Sequence, residues 1–358
     1  MMTNMNGLSL DFIIHPGETV KEFLEKFNMS QEELATRTGF TAKHISEIVN
    51  GKKGISAKMA KALEYAFGTP MSFWVNLQGI YDKEILQYME QEEIEEEELK
   101  IVRKLKKIMK YAEEKGLIEN DRDEIFNLMQ LRKLCGINNL SNIKYLLAYQ
   151  TSFRASDSID IESTYVWIRI NELLAKKNEI KNIYNKELLK EKIQDIKETM
   201  FLDINDAIEK LTQIFAECGI IFQLSKSFTG APVQGFIKKI NEQVLLTMTI
   251  RGAFADIFWF SLFHEIGHLI NEDFNTQFID YISNSSDKEI KADTFASNTL
   301  IDKSQFIEFL NRQEFTKEEV MKLAKRNNVK DFIIVGRLER ELNDYRILSD
   351  MRLKYIWK

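Results

Sequence analysis

Cysteine, proline and histidine are scarce in this chain of 358 residues: two, three and four respectively. Cys135 and Cys218 lie in apolar contexts without metal-ligand spacing, which argues against a disulfide and for buried free thiols. Few prolines and many Glu, Lys and Leu residues predict mostly helix. No apolar run reaches membrane-span length and no charged-then-apolar leader opens the chain, so a cytoplasmic protein without a membrane partner is expected. A net charge of −6 excludes a protein that coats nucleic acid over its whole surface, so any DNA binding must come from a local face. The length and a 44% hydrophobic content leave room for two or three packed domains.

Two of the four histidines fall in one short stretch, Phe258 to His268, which reads Phe-Trp-Phe-Ser-Leu-Phe-His-Glu-Ile-Gly-His. On a helix His264 and His268 share a face one turn apart, so both imidazoles can bind one metal ion. A Zn2+ held by two histidines and a carboxylate keeps one position for water and lowers that water's pKa towards neutrality. The adjacent Glu265 can then take the proton, which is the core chemistry of a metal-dependent peptidase. Composition alone would produce His-Glu-x-x-His in roughly one chain of this length in a hundred, so the motif needs a third ligand. Glu289 to Asp293 supplies a candidate inside an amphipathic stretch (Ile290, Ala292, Phe295, Ala296, Leu300) that predicts a second helix. A Glu with an Asp four residues on resembles the third-ligand helix of gluzincins. That likeness implies Glu289 as a metal ligand and Asp293 as the group behind a histidine ligand.

The flanking segments predict an α+β region over 201–358. Ala207 to Cys218 reads as a helix. Gly219 to Leu224, Val233 to Ile240 and Val244 to Thr249 are β-rich, the last two joined across Asn241-Glu242 as a hairpin. An edge of such a sheet can pair with an extended substrate and carry the scissile bond over the metal. The active helix, from about Ala253 to Ile270, is apolar nearly all round and must be buried. Asp256 inside it is either a group supporting the metal ligands or a buried partner for Arg251.

Residues 8–82 predict an all-α helix-turn-helix domain. Pro16 to Asn28 forms a first helix. Ser30 caps a second, with Glu33 completing a capping box, and Gly39 turns the chain. Thr41 caps a third helix over Ala42 to Val49, which would enter the DNA major groove. Lys43 and His44 sit at groove-reading positions, with Asn50, Lys52 and Lys53 where phosphates would run; Gln31, Thr41 and Glu47 complete the candidate DNA-contacting set. Residues 1–80 hold eight Lys plus Arg and eight Asp plus Glu, so only one face can be basic. The expected partner is double-stranded operator DNA, bound by a homodimer with modest affinity per half-site.

Residues 83–200 predict a helical connector without catalytic spacing. Glu90 to Glu98 holds seven glutamates and is followed by Lys100, Arg103, Lys104, Lys106 and Lys107. An acidic block before a basic one on a single helix suits its dipole and i to i+4 pairing. Leu99, Val102, Leu105 and Met109 would be its buried stripe. Further helix is expected over Leu128 to Leu134, Ile143 to Tyr149, Val166 to Leu174 and Leu188 to Met200, with a break at Thr151 to Ser163.

Two resemblances follow from these motifs. His15-Pro16-Gly17-Glu18, Ser30-Gln31-Glu32-Glu33-Leu34-Ala35, Ile45 to Lys52 and Phe73 to Gln78 resemble the HigA-type antitoxin branch of the Xre repressors, which implies an operator-binding dimer. Phe258 to His268, then Glu289-x-x-Ala292-Asp293-x-Phe295-Ala296 and Ile334 to Leu338, resemble the ImmA/IrrE metallopeptidases over about 150 residues. That family's frequent proline after the second helix is replaced by Asp302. The resemblance implies a gluzincin-like zinc protease whose protein substrate is a transcriptional repressor or a related regulator, such as an antitoxin or toxin partner. Tyr281 or Arg337 would have to steady the oxyanion, because His15 and His44 belong to the DNA-binding half. The rival expectation is a non-proteolytic regulator or antitoxin with a structural or sensing metal. A third is self-cleavage near Glu90, releasing the DNA-binding domain.

Overall fold

The computed structural model describes residues 10–150, 160–178, 180–231, 233–250, 254–273, 278–281 and 287–355. It is mainly helical with one small sheet and divides into two compact units, Met1–Leu99 and Lys100–Lys358. Among the described residues no helix is long and apolar enough to cross a membrane.

The first unit carries α1 (Pro16–Lys26), α2 (Gln31–Thr38), α3 (Ala42–Val49), α4 (Ala57–Phe67) and α5 (Met71–Glu92). Local chemistry sets each start. His15 Nδ1 accepts from Gly17 N, Ser30 from Glu33 N, Thr41 from His44 N and Ser56 from Met59 N. Such caps satisfy amide donors that the first turn leaves open. Val20, Leu34, Ile45, Ile48, Leu63 and Trp74 close into one core.

The division falls within α6 (Glu96–Lys104), and the second unit continues with α7 (Lys106–Glu114), α8 (Glu124–Cys135), α9 (Ile143–Gln150), α10 (Ile161–Lys177), α11 (Lys186–Glu191), α12 (Ile193–Glu198) and α13 (Ile204–Glu217). The acidic block does not lie on one helix: α5 ends at Glu92 and α6 starts at Glu96, so only its last three glutamates occupy a first turn. Arg103 and Lys104 also reach carboxylates farther along the chain. Arg103 pairs with Glu124 at 2.8 Å, and Lys104 with Asp160 at 2.6 Å and Glu162 at 3.0 Å. The break expected at Thr151 to Ser163 lies outside the described residues through 159, and from Ile161 onwards the chain is already α10.

Strands β1 (Ile220–Lys226), β2 (Val233–Ile240), β3 (Gln243–Ile250) and β4 (Phe278–Tyr281) form one sheet in the order β1-β3-β2-β4. β2 and β3 make the expected hairpin, with Asn241 at φ 56° in the turn. β1 runs parallel to β3, and β4 adds an antiparallel edge to β2. The helix α10 packs on this sheet: Trp167 Nε1 donates to Lys226 O at 3.0 Å, and its ring stands edge-on to Phe236. Next come α14 (Ala255–Asn271), α15 (Asp287–Leu300), α16 (Lys303–Arg312), α17 (Lys317–Arg326) and α18 (Asp331–Leu342). Asp302, where proline was the family expectation, caps α16 by accepting from Gln305 N at 2.9 Å. Both cysteines are buried and free, and burial pushes their thiols up, Cys135 to about 12 and Cys218 to about 11.

A candidate metal centre and a candidate DNA interface

Helices α14 and α15 bring His264, His268 and Glu289 together, with ligand atoms all within 4.8 Å of one another. His268 Nε2 lies 3.0 Å from His264 Nε2, and Glu289 places Oε2 3.1 Å from His264 Nε2 and Oε1 3.5 Å from His268 Nε2. Small residues permit this approach. A Cβ on Gly267 would stand 3.0 Å from Ala292 Cα, and Ala292 and Ala296 are fully buried opposite it.

Each imidazole is held from behind. His264 Nδ1 donates to Asp293 Oδ1 at 2.9 Å, and His268 Nδ1 donates to Asp273 Oδ2 at 3.1 Å. Ionised carboxylates only accept, so each Nδ1 keeps its proton and each Nε2 turns a lone pair inward. Two lone pairs and a carboxylate aimed at one point repel unless a cation lies between them, and this donor set fits a divalent metal. Without a cation, a proton on an imidazole Nε2 takes that place and is donated to Glu289. Burial pushes the Glu289 carboxyl up, but hydrogen bonds and charge from His264 and His268 outweigh it and bring it down to about 2. Burial likewise lowers the His268 ring, yet Glu289, Glu265 and Asp273 hold it above the usual histidine range.

Asp273 escapes sequence reading. It follows Glu272, which ends α14 in the left-handed region at φ 57°, so no helical spacing links it to His268. Gly235 is the second residue missed. Glu265 is fully buried with its carboxylate against β2, and a Cβ on Gly235 would fall 1.8 Å from its Oε1. Asp256 pairs with Arg352 at 2.8 Å, and the same guanidinium reaches Glu339 at 3.2 Å. Asp256 is thus a partner of Arg352; the expected partner, Arg251, lies outside the described residues. Tyr281 stands on β4, but its side chain is outside the described residues. Arg337 donates to Ser297 O at 2.9 Å and lies over the Phe306 ring. Ser297 is eight residues beyond Glu289 on α15, about 12 Å along the axis, too far for contact with an oxyanion at the metal. A cavity of about 860 Å3 has His264, Glu289 and Asp293 on one wall, with Gln234 of β2 and Arg337 of α18 also lining it.

In the first unit, Thr41 is exposed just before α3, Lys43, Asn50, Lys52 and Lys53 are exposed on or after it, and Gln31 is half-buried at the start of α2. Several are tied locally. Lys53 pairs with Glu47 at 2.8 Å, which holds the Glu47 carboxyl low, and Asn50 Nδ2 donates to Ser46 O at 2.8 Å. Thr41 is engaged as the cap of α3. The His44 ring stacks on Phe40 at 4.9 Å, so it is not fully available to a base edge. Lys43 and Lys52 remain as the outward cations.

The structure thus pairs a helix-turn-helix unit with a unit built around two histidines and a glutamate. Residues 20–74 match the family model described as helix-turn-helix, and residues 257–339 match that of the IrrE N-terminal-like domain; the chain carries a domain of each family. Virulence-associated protein A' of Dichelobacter nodosus is 44% identical over 69 residues, 19% of this chain and 60% of its own length. Virulence-associated protein I of that organism is 37% identical over 70 residues, 19% of this chain and 65% of its own. The chain thus spans less than two thirds of either relative. Among solved structures, the Pseudomonas aeruginosa antitoxin HigA with higBA promoter is 38% identical, covering 23% of this chain and 95% of that one, with a TM-score of 0.22. PA4674 of the same organism, solved with its operator DNA, is 39% identical over 23% of this chain and 94% of that one, with a TM-score of 0.21.

Proposed function

We propose that this protein is a regulatory zinc metallo-endopeptidase: the first unit binds operator DNA as a homodimer, and the second hydrolyses a peptide bond in a transcriptional repressor or related regulator. The observation that carries the reading is the convergence of His264, His268 and Glu289 beside a buried glutamate, Glu265, on the same helix. Zinc bound there would supply Lewis acidity for the scissile carbonyl and lower the pKa of water. His264 and His268 would hold it with Glu289, while Asp293 and Asp273 fix the imidazole orientations. Glu265 would take the proton from the attacking water and pass it to the leaving amine. Gly235 lets that carboxylate lie against β2, which is flanked by β3 and β4, so on that side an extended substrate would add at the outer edge of β4.

For the first unit, the helix-turn-helix match and the operator-bound relatives support a DNA partner, with Lys52 meeting phosphate and Lys43 the groove. The proposed domain plan is a DNA-binding segment over 8–82, helices over 83–200 and the peptidase over 201–358, within two compact units that divide after Leu99. The test is to incubate the zinc-loaded protein with repressor, antitoxin or toxin proteins encoded beside its gene and follow fragments by mass spectrometry. Specific fragments that vanish with Glu265→Gln are expected. Intact partners throughout would favour the second reading, a non-proteolytic regulator with a structural metal. A structural site, however, has no need of a base beside an open position.

A further inference from the structure

The cavity over the metal centre continues away from it along α15 and α18, where two arginines stand in steps. Arg340 places Nη2 3.8 Å from Asp293 Oδ2 and stacks over Phe260, with a side chain 65% exposed. Arg337, one turn earlier on α18, reaches Ser297, one turn farther along α15. Asp293 and Ser297, beside which the two cations lie, follow Glu289 along the α15 axis by about 6 and 12 Å. An extended chain rises about 3.3 Å per residue, so these distances are those of side chains two to four residues from a bond held at the metal.

The charges on the wall are not equivalent. Arg352 is committed to Asp256 and Glu339, and burial holds both of those carboxyls above the usual range. Arg337 is different. Its described hydrogen-bond and ring partners are a backbone carbonyl and an aromatic face; Glu341, one turn on along α18 and on the same cavity wall, acts on its charge but forms no ion pair with it among the described residues. A half-buried guanidinium with donors left over, opening into a cavity, is suited to a carboxylate that arrives with a ligand.

We propose that this cavity is a specificity subsite for an acidic side chain two to four residues from the scissile bond of an extended polypeptide, read by Arg337 with Arg340 as its outer partner. The proposal rests on the peptidase reading and names its substrate class. Neither arginine takes part in the chemistry; both select which stretch of chain lies over the metal.

The test uses fluorescent alanine tetrapeptides that end in a hydroxamate, or begin with a succinyl hydroxamate, with one Glu or one Gln at each position in turn. The hydroxamate anchors every member to zinc, and fluorescence anisotropy on the zinc-loaded full chain reads Kd. At a position two to four residues from the anchor, Glu is expected to bind about tenfold tighter than Gln, a difference of about 1.4 kcal/mol. Arg337→Gln should reduce that ratio below about twofold and leave the Gln peptide unchanged. Equal affinity of Glu and Gln peptides at every position would overturn the subsite alone. Absence of binding by any peptide would overturn the metal centre and the subsite together. If Arg337→Gln does not fold, the exposed Arg340→Gln decides: a ratio lowered about threefold or more supports the proposal, and an unchanged ratio overturns it.

Discussion

The two candidate sites place their polar groups in opposite settings. At the metal centre Glu265 and His268 are fully buried, and His264 and Glu289 are 7% and 6% exposed. On α3 and the loop after it, Lys43, Asn50, Lys52 and Lys53 lie in solvent. Water satisfies a surface lysine at almost no cost, so its position says little about a partner. A buried histidine pair with three carboxylates around it is costly without a cation, so its geometry argues for a ligand by itself. The lesson is an asymmetry of inference: the buried site points to its chemistry, whereas the exposed face borrows meaning from its helical frame.

The largest effect that sharpens the contrast is Glu265→Gln. Cleavage should fall by about a thousandfold or more, because the base is removed while size is kept. Zinc content and DNA binding should match wild type, as measured by metal analysis and gel shift. A cellular reporter of the target pathway unchanged in that strain, at matched protein level, would sink the protease reading even with zinc present.

His268→Ala comes next. It removes one of three ligands, so zinc should drop from one per chain to a small fraction of that after dialysis. Operator affinity should not move. Undiminished zinc would place the metal elsewhere, and a parallel loss of DNA binding would break the independence of the two sites.

Asp273→Asn should act more gently, weakening zinc affinity about 10- to 100-fold in competition with a chelator, because His268 keeps its place but loses the charge behind it. Affinity within twofold of wild type would make the 3.1 Å contact incidental.

Asp273 also marks the limit of what the sequence discloses. Helices α1 to α3, α14 and α15 and the β2–β3 hairpin were legible because their apolar period, caps and turn residues are local signals. His264, His268, Glu289 and Asp293 were legible as candidates for the same reason, since spacing of four is a helical statement. What was not legible arises between segments distant in the chain. Gly235 matters only because Glu265 comes to rest against it, and Arg352 reaches back ninety-six positions to Asp256. Strand β4 is four residues long and, among the described residues, pairs with β2 alone. The acidic run misled for a related reason: a long charged stretch looks continuous, yet residues 93–95 interrupt the helix between α5 and α6.

The smallest effect belongs to the exposed face. Among the described residues Lys52 has no ion-pair partner, whereas Lys53 is held by Glu47 at 2.8 Å, so Lys52 is the better phosphate contact. Lys52→Ala should weaken binding of the full chain to all duplexes alike, by only a few-fold at physiological salt. The slope of log K against log salt should become shallower by about 0.9, because one counterion fewer is released. Lys43→Ala should instead change the preference between duplexes and lower affinity for the preferred one. Because His44 is stacked on Phe40, His44→Ala tests a different property and should disturb the packing of α3 along with any base reading. If Lys52→Ala leaves the salt slope intact, the phosphate path lies elsewhere on the unit. If the full chain shows no salt-sensitive binding to any duplex, the helix-turn-helix docks protein rather than DNA, and the contrast becomes one between a peptidase and the surface that delivers its substrate.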